Sequence, residues 1–266
     1  MTSPWKAPPL LKASLLLHGT AAAAALATPH GWPWAAGAIA ANHALLAGAG
    51  LWPRSTWLGA NLNRLPEAAR QRGEIALTID DGPDPEVTPR VLDLLDQAGA
   101  QASFFCIGRR ALVHPALCRE IVARGHRVEN HGHAHSNAFS LFGPNRMRQD
   151  IVQAQAALSD ITGQAPRFFR ATAGLRNPFL DPVLHQLGLR LASWNRRAYD
   201  TRTGDPVTVL SRITRGWGAG DIVLLHDGHS ARTPNGNPVI LAVLPQLLHS
   251  IQQQRWRTVT LVQAQP

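Results

Sequence analysis

Residues 74–83 read EIALTIDDGP. An apolar, β-branched run stops at two adjacent carboxylates, Asp80 and Asp81, and Gly82-Pro83 then turns the chain. The run does not alternate polar with apolar residues. It therefore predicts a strand covered on both faces, the environment of a parallel sheet. The same design recurs in ASFFCIG (102–108), HRVENH (126–131), RFFRAT (167–172), LRLASWN (189–195), DIVLLHD (221–227) and RTVTLVQ (257–263). Helical spacing separates these runs: Val91, Leu94, Leu95 and Ala98 form one apolar face. Met147, Ile151, Ala154, Leu158 and Ile161 form another, and Ile240, Val243, Leu244, Leu247, Leu248 and Ile251 a third. Seven strand–helix units predict an α/β chain with a parallel sheet, helices outside it, and closure into a barrel, in part or in full. A doubly wound open sheet is the competing architecture. No G-x-G-x-x-G follows the first strand and no Walker A motif occurs, which argues against a nucleotide site.

In a parallel barrel, chemistry sits at the C-terminal ends of the strands. Five of the predicted strands lead there to ionisable groups: Asp80-Asp81, His131 with His135, Arg170, Asp200, and His226-Asp227. Adjacent aspartates at a buried mouth repel each other and lose hydration, and a cation relieves both penalties. A helix cap followed by a turn is the plainer reading of the same pair. In NHGHAHSN (130–137), His131 and His135 are four apart, which on a helical turn brings both imidazoles to one side. His133 then points away and reads as a surface or groove residue. One carboxylate and two imidazoles leave a coordination position open, as a catalytic metal site does. Zinc suits such ligands, and cobalt, nickel, manganese or iron would also bind. Asp227 and His229 lie near the same mouth and are candidates for substrate contact.

These residues resemble the motifs of the polysaccharide deacetylase family, the NodB-homology domain of family 4 carbohydrate esterases. TIDDG (78–82), HGHAH (131–135) and LLH (224–226) match its first, second and fifth motifs. RATAG (170–174) and the stretch up to YDT (199–201) occupy the places of the third and fourth. The resemblance implies a distorted (β/α)7 barrel and a metal-dependent hydrolase that removes acetyl groups from an amino sugar, polysaccharide or glycolipid. It implies that Asp81, His131 and His135 hold one divalent metal, that Asp80 is the general base and His226 the general acid. It further implies that Arg170 pairs with Asp80, and Asp200 with His226. The Ala173 N–H is expected to face the oxyanion, and Trp194 and Leu224 are expected around the acyl methyl, where they read equally as core. Thr172, Ala173 and Thr201 depart from the family pattern, which leaves the substrate open. A non-catalytic carbohydrate-binding relative and a hydrolase of a non-sugar amide or ester are the alternatives.

The first part of the chain has another character. From Leu10 to Trp52 the only charged residue is Lys12. Ala13–Thr28 and Trp34–Trp52 read as two apolar helices joined by a turn at PHGWPW, interrupted by His18, Asn42 and His43. The lengths approach the ~20 residues that span a bilayer, and Trp32, Trp34 and Trp52 lie where interfacial aromatics belong. Residues 10–52 are thus expected to form a membrane hairpin. Helices packed on the main domain, or a cleaved signal peptide with Lys6 and Lys12 at its start, are the alternatives. Lys6 and Lys12 precede the hairpin, Arg54 and Arg64 follow it, and its loop has no Lys or Arg. That places the main domain on the cytoplasmic side of a bacterial inner membrane; a signal peptide would export it. The expected organisation is a hairpin over 1–52, a linker over 53–72 and a deacetylase domain over 73–266.

Composition agrees with a folded chain: 45% of the 266 residues are hydrophobic and 16% charged. The net charge of +9 points to an anionic partner. The arginines are scattered, however, and no basic–aromatic stripe occurs, so no nucleic-acid partner is expected. Cys106 and Cys118 read as buried structural thiols, with no C-x-x-C between them.

Overall fold

The structure, a computed structural model, describes residues 4–28 and 30–265. Two long helices come first, α1 (Pro9–Ala27) and α2 (Trp32–Leu51), then a short α3 (Glu67–Gln71). Strand and helix next alternate: β1 (Glu74–Asp80), α4 (Thr88–Gln97), β2 (Ala102–Cys106), α5 (Gly108–Val113), α6 (Pro115–Ala123), β3 (Arg127–Asn130) and α7 (Pro144–Thr162). The chain continues through β4 (Phe168–Phe169), α8 (Leu180–Gln186), β5 (Arg190–Leu191), β6 (Arg196–Arg197), α9 (Pro206–Thr214), β7 (Ile222–His226), α10 (Val239–Gln253) and β8 (Arg257–Thr258).

The strands pair in the order β5-β4-β3-β2-β1-β7-β6, with β8 on the lower part of β1, and every pair of strands is parallel. The sheet curls into a distorted half-barrel with helices outside it. It differs from the sequence reading at two places. RTVTLVQ is strand only over Arg257–Thr258, and residues 261–264 turn instead. LRLASWN is not one strand: the chain leaves β5 at one open edge, crosses the gap over residues 192–195, and becomes β6 at the other edge. Residues 62–65 patch this gap. The Leu62 N–H donates to the Leu191 carbonyl, Ser193 N–H to Leu62, and Leu65 N–H to Gly220.

Side-chain alternation on β1 sorts its residues between two compartments. Ile75, Leu77 and Ile79 join the outer core under α4 and α10, together with Val91, Leu95, Val243, Leu244 and Leu247. Ala76 joins a second core inside the curl, with Phe105, Phe168, Trp194, Ile222 and Leu224. Thr78 and Asp80 share the parity of Ala76, so Asp80 meets the inside of the barrel at its upper rim. Strand register does the rest. Asp80 is level with Phe105 and His226, and Asn130 is level with Cys106 and Phe169. Parallel strands in register bring all their C-terminal groups to one end.

α1 and α2 form a hairpin, as expected, but Trp32, Pro33 and Trp34 of PHGWPW already belong to α2, and Pro29 lies outside the described residues. Its inner seam is small and polar. Ser14, Ala21, Ala35, Asn42 and Ala49 are its buried residues before Gly50, at seven-residue spacing in each helix. Asn42 Nδ2 donates to Ser14 Oγ at 2.8 Å, and His18 Nε2 lies 3.4 Å from His43 Nε2. The polar interruptions in the sequence thus meet one another. The outside is apolar: Leu15, Leu16, Leu26, Trp32, Trp34, Leu45 and Leu51 are exposed. Among the described residues, α1 alone is long and apolar enough to cross a membrane. The hairpin is tied to the domain at its base. The Arg176 N–H donates to the Gly50 carbonyl, and a Cβ at Gly50 would run into the Arg176 carbonyl.

Candidate active site

Asp81, His131 and His135 converge at the rim. Asp81 Oδ1 lies 3.2 Å from His131 Nε2 and 2.9 Å from His135 Nε2. One ligand atom from each falls within 4.8 Å of the others, and they form the one such metal-ligating set among the described residues. Asp81 is turned into place by a left-handed backbone, φ 77°. The histidines reach the site by another route than expected. Residues 131–135 form an irregular bend, not a helical turn, with Gly132 at φ 76° and His135 at φ 49°. Asp150 of α7 holds this bend by accepting from the His133 and Ala134 N–H groups at 3.0 and 2.9 Å. Asn130 Oδ1 accepts from the Gly132 N–H. His133 points out of the set and packs against Gly108, where a Cβ would sit 2.8 Å from its Nδ1.

The donor set fits a cation. His131 Nδ1 lies 2.8 Å from the Arg170 carbonyl, which only accepts, so the Nδ1 carries a proton. His131 Nε2 therefore faces the carboxylates either as the second N–H of an imidazolium or as a lone pair toward a metal. Without a metal, burial disfavours the imidazolium but Asp80 and Asp81 outweigh it, and the His131 pKa is raised. Burial likewise pushes Asp81 up, yet hydrogen bonds from His131, His135 and His229 hold it far below the usual carboxylate range.

Asp80 lies beside this set, its Oδ2 3.6 Å from His131 Nε2. Arg170 reaches it from inside the barrel, Nη1 donating to Asp80 Oδ1 at 2.5 Å and to Thr78 Oγ1 at 2.9 Å. The remaining donors of Arg170 serve the barrel gap, Nε to the Ala192 carbonyl and Nη2 to that of Ser193. On the neighbouring strand, His226 Nδ1 lies 2.8 Å from Asp200 Oδ1, while the His226 N–H donates to Asp200 Oδ2 at 2.7 Å. Burial lowers the pKa of His226, but Asp200 and the Asp80–Asp81 pair raise it to about 9.

Asp80, Asp81, His131, His135 and His226 line a cleft of about 410 Å³ with Thr172, Ala173, Trp194, Thr201 and Leu224, and Arg170 and Asp200 lie buried behind them. Ala173 is exposed there with φ 55°. Trp194 and Leu224 are 4% and 1% exposed and belong to the inner core, so they form the cleft floor and the core together. A larger cavity, about 860 Å³ between residues 4–9 and α8, has no such metal-ligating set. Asp227 turns away from the cleft. It is buried and accepts from Thr88 Oγ1 at 2.5 Å, anchoring the start of α4. His229 enters it: Nδ1 lies 3.1 Å from Asp81 Oδ2, and Nε2 lies 3.2 Å from Arg110 Nη2. A guanidinium only donates, so Nε2 accepts and Nδ1–H donates to Asp81. That leaves Asp81 Oδ1 for the histidine pair. Arg109, Arg110, Asn137 and Arg197 were absent from the sequence reading of the site. Arg109 and Arg110 follow the end of β2, one of the two predicted strands whose C-terminal ends carried no assignment.

The family model for polysaccharide deacetylase matches residues 67–192. A peptidoglycan-N-acetylglucosamine deacetylase of Bacillus cereus is 33% identical over 189 residues, 70% of this chain and 85% of that protein. The chain belongs to the polysaccharide deacetylase family. Another member, the chitooligosaccharide deacetylase of Azorhizobium caulinodans, is 35% identical over 62% of this chain and 80% of its own length. Among solved polysaccharide deacetylase folds, a family 4 pseudoenzyme from Bacillus anthracis superposes with a TM-score of 0.68 at 20% identity. That alignment covers 77% of this chain and 68% of the pseudoenzyme and is a likeness of fold.

Proposed function

We propose that this protein is a metal-dependent carbohydrate deacetylase acting on N-acetylated amino sugars in polymeric or lipid-linked form. The observation that carries the reading is two differently prepared groups beside one metal-ligating set: Asp80 held by Arg170, and His226, level with it on the neighbouring strand, held by Asp200. Asp81, His131 and His135 would hold the metal, zinc first, with cobalt, nickel, manganese or iron as alternatives. The metal would polarise the acyl carbonyl and bring the pKa of water toward ~7. Asp80, kept in place by Arg170, takes the proton of the attacking water. Ala173 lines the cleft with a left-handed backbone, and its N–H is the donor assigned to the oxyanion in this reading. His226 presents Nε2 to the cleft, because Asp200 holds Nδ1, and gives a proton to the departing amine. Base and acid stay distinct because their partners differ: an arginine for one, a carboxylate for the other.

The hairpin supports a place at a membrane. Its apolar exterior and small, hydrogen-bonded seam suit a surrounding of lipid better than water. The positive-inside pattern of Lys6, Lys12, Arg54 and Arg64 favours the cytoplasmic side; a reporter fused after Pro266 reads the side directly.

Acetate release from chitooligosaccharides and peptidoglycan fragments, with zinc or cobalt added, tests the activity. Asp80→Asn is expected to lose at least about 1,000-fold in turnover while calorimetry still finds the metal; His131→Ala is expected to lose both. Full turnover by Asp80→Asn refutes the base assignment. Metal bound without acetate from any sugar favours a non-sugar substrate.

A further inference from the structure

Beside the cleft lies a second cavity of about 340 Å³. Trp194 and Arg197 line both, so the two spaces share a wall. The rest of this cavity is mostly basic and aromatic: Arg54, Arg196, Arg212, Tyr199 and Trp52, with Pro53 and Asn195. Arg196 is fully engaged, with Nε on Asp221 at 2.5 Å and Nη1 on the Arg215 carbonyl at 2.6 Å. The other three are not. Among the described residues no carboxylate pairs with Arg54, Arg197 or Arg212, whereas Asp221 pairs with Arg196 in the same wall. Arg197 lies 4.7 Å from the Tyr199 ring centre and 5.3 Å from that of Trp194. Its Nε is buried without a hydrogen-bond partner. Arg212 lies 5.7 Å from the Tyr199 ring centre and, among the described residues, donates to Thr203 Oγ1 alone. Tyr199, the one tyrosine of the chain, is 44% exposed and adopts φ 57°. That left-handed backbone is costly for a bulky residue and persists where the surroundings impose it.

Three guanidiniums that share a cavity without a counter-charge repel one another, and an anion relieves this. We infer that this cavity binds a phosphate group attached to the acetylated sugar whose acyl group occupies the cleft. The inference rests on the deacetylase reading and narrows its substrate class. The fork of a guanidinium matches phosphate oxygens, and three unpaired cations exceed what a single carboxylate neutralises. The shared Trp194–Arg197 wall sets the anion next to the reacting sugar. Trp52, Pro53 and Arg54 follow α2 directly, so the cavity also lies at the root of the hairpin. A hairpin held in a bilayer puts that root at the level of the headgroups. The phosphate therefore belongs either to a lipid-linked sugar or to a soluble sugar phosphate.

Binding is measured by calorimetry on the zinc-loaded full chain carrying Asp80→Asn, which removes turnover. The probes are N-acetylglucosamine 1-phosphate and methyl N-acetylglucosaminide. The phosphate probe is expected to bind about tenfold or more tighter, the worth of one charge-assisted contact. The added substitutions Arg54→Gln and Arg212→Gln are expected to erase the difference, and raising the salt concentration to shrink it. Equal affinity for the two probes, or a difference that survives both substitutions, overturns the inference. The wild-type chain with N-acetylglucosaminyl diphosphoryl polyprenol in phosphatidylcholine vesicles separates the sources. Faster acetate release from the lipid than from the sugar 1-phosphate assigns the lipid-linked sugar, and the reverse assigns the soluble one. Absence of acetate from every sugar refutes the deacetylase reading, while the binding comparison still decides whether the cavity takes phosphate.

Discussion

A fully buried arginine loses hydration worth several kcal/mol unless its donors find acceptors. Arg170 is 0% exposed, and its guanidinium lies 3.9 Å above the Phe105 ring while bonding Asp80, Thr78, Ala192 and Ser193. Arg170→Ala leaves Asp80 without its cation and two barrel carbonyls without donors. It is expected to cost about 3–5 kcal/mol in urea unfolding, besides its effect on turnover. His226 sets a pH dependence. As the acid it must be protonated, so kcat is expected to fall as pH rises through its pKa, about 9. A bound cation offsets Asp80 and Asp81 and brings that limb lower. Asp200→Asn removes the main stabilising charge and is expected to move the limb further toward acid in a pH–rate profile. Stability follows the same sign. The raised pKa stabilises the fold fully below the unfolded value near ~6.5, and the contribution is lost on rising through about 9. His229 acts on the site through Asp81. His229→Ala is expected to weaken zinc binding by roughly 10–100-fold, measured by calorimetry. Asp80, Asp81, His131, His135 and His226 stood out in the sequence because ionisable residues at the ends of apolar runs are costly without a task. His229 and Arg110 gave no comparable signal. They sit in loops, and only folding sets one against the other.

The β3–α7 connection shows how an element carries the site. Its histidines were expected on a helical turn; the observed bend needs Gly132 in the left-handed region and Asp150 to collect two amide protons. Asp150→Ala is expected to destabilise the fold by about 2–3 kcal/mol and to weaken metal binding, because the bend loses charge-assisted hydrogen bonds. A Cβ at Gly132 would lie 2.7 Å from Asp150 Oδ2. Gly132→Ala is thus expected to cost about 1–2 kcal/mol from backbone conformation alone, before that clash. The spacing of His131 and His135 was legible, but the conformation between them was not, since Asp150 lies on a helix that sequence pattern could not orient. LRLASWN failed for a related reason. Its apolar character marks burial, and burial is the same whether a run pairs as one strand or crosses a gap with Arg170 supplying the missing donors.

At the scale of the molecule, the hairpin and the barrel have opposite surfaces. The barrel buries its apolar residues; the hairpin displays them, and 11% of the most apolar window of α1 is buried. Removal of residues 1–52 is expected to move the protein from the membrane fraction to the supernatant after ultracentrifugation. Retention of the full chain in the supernatant would refute the membrane placement. The sequence by itself determined the alternation of strand and helix, the end of the sheet that carries the chemistry, and the family motifs. These depend on local periodicity and on the cost of ionisable groups beside apolar runs, which are written residue by residue. Only the tertiary structure decided which charges meet. It opened the barrel between β5 and β6 and spent Arg170 on that gap. It took Asp227 out of the cleft, brought His229 onto Asp81, and left three arginines at the hairpin root with no carboxylate partner among the described residues. Those outcomes depend on contacts between residues far apart in the chain, whose distances no local pattern encodes.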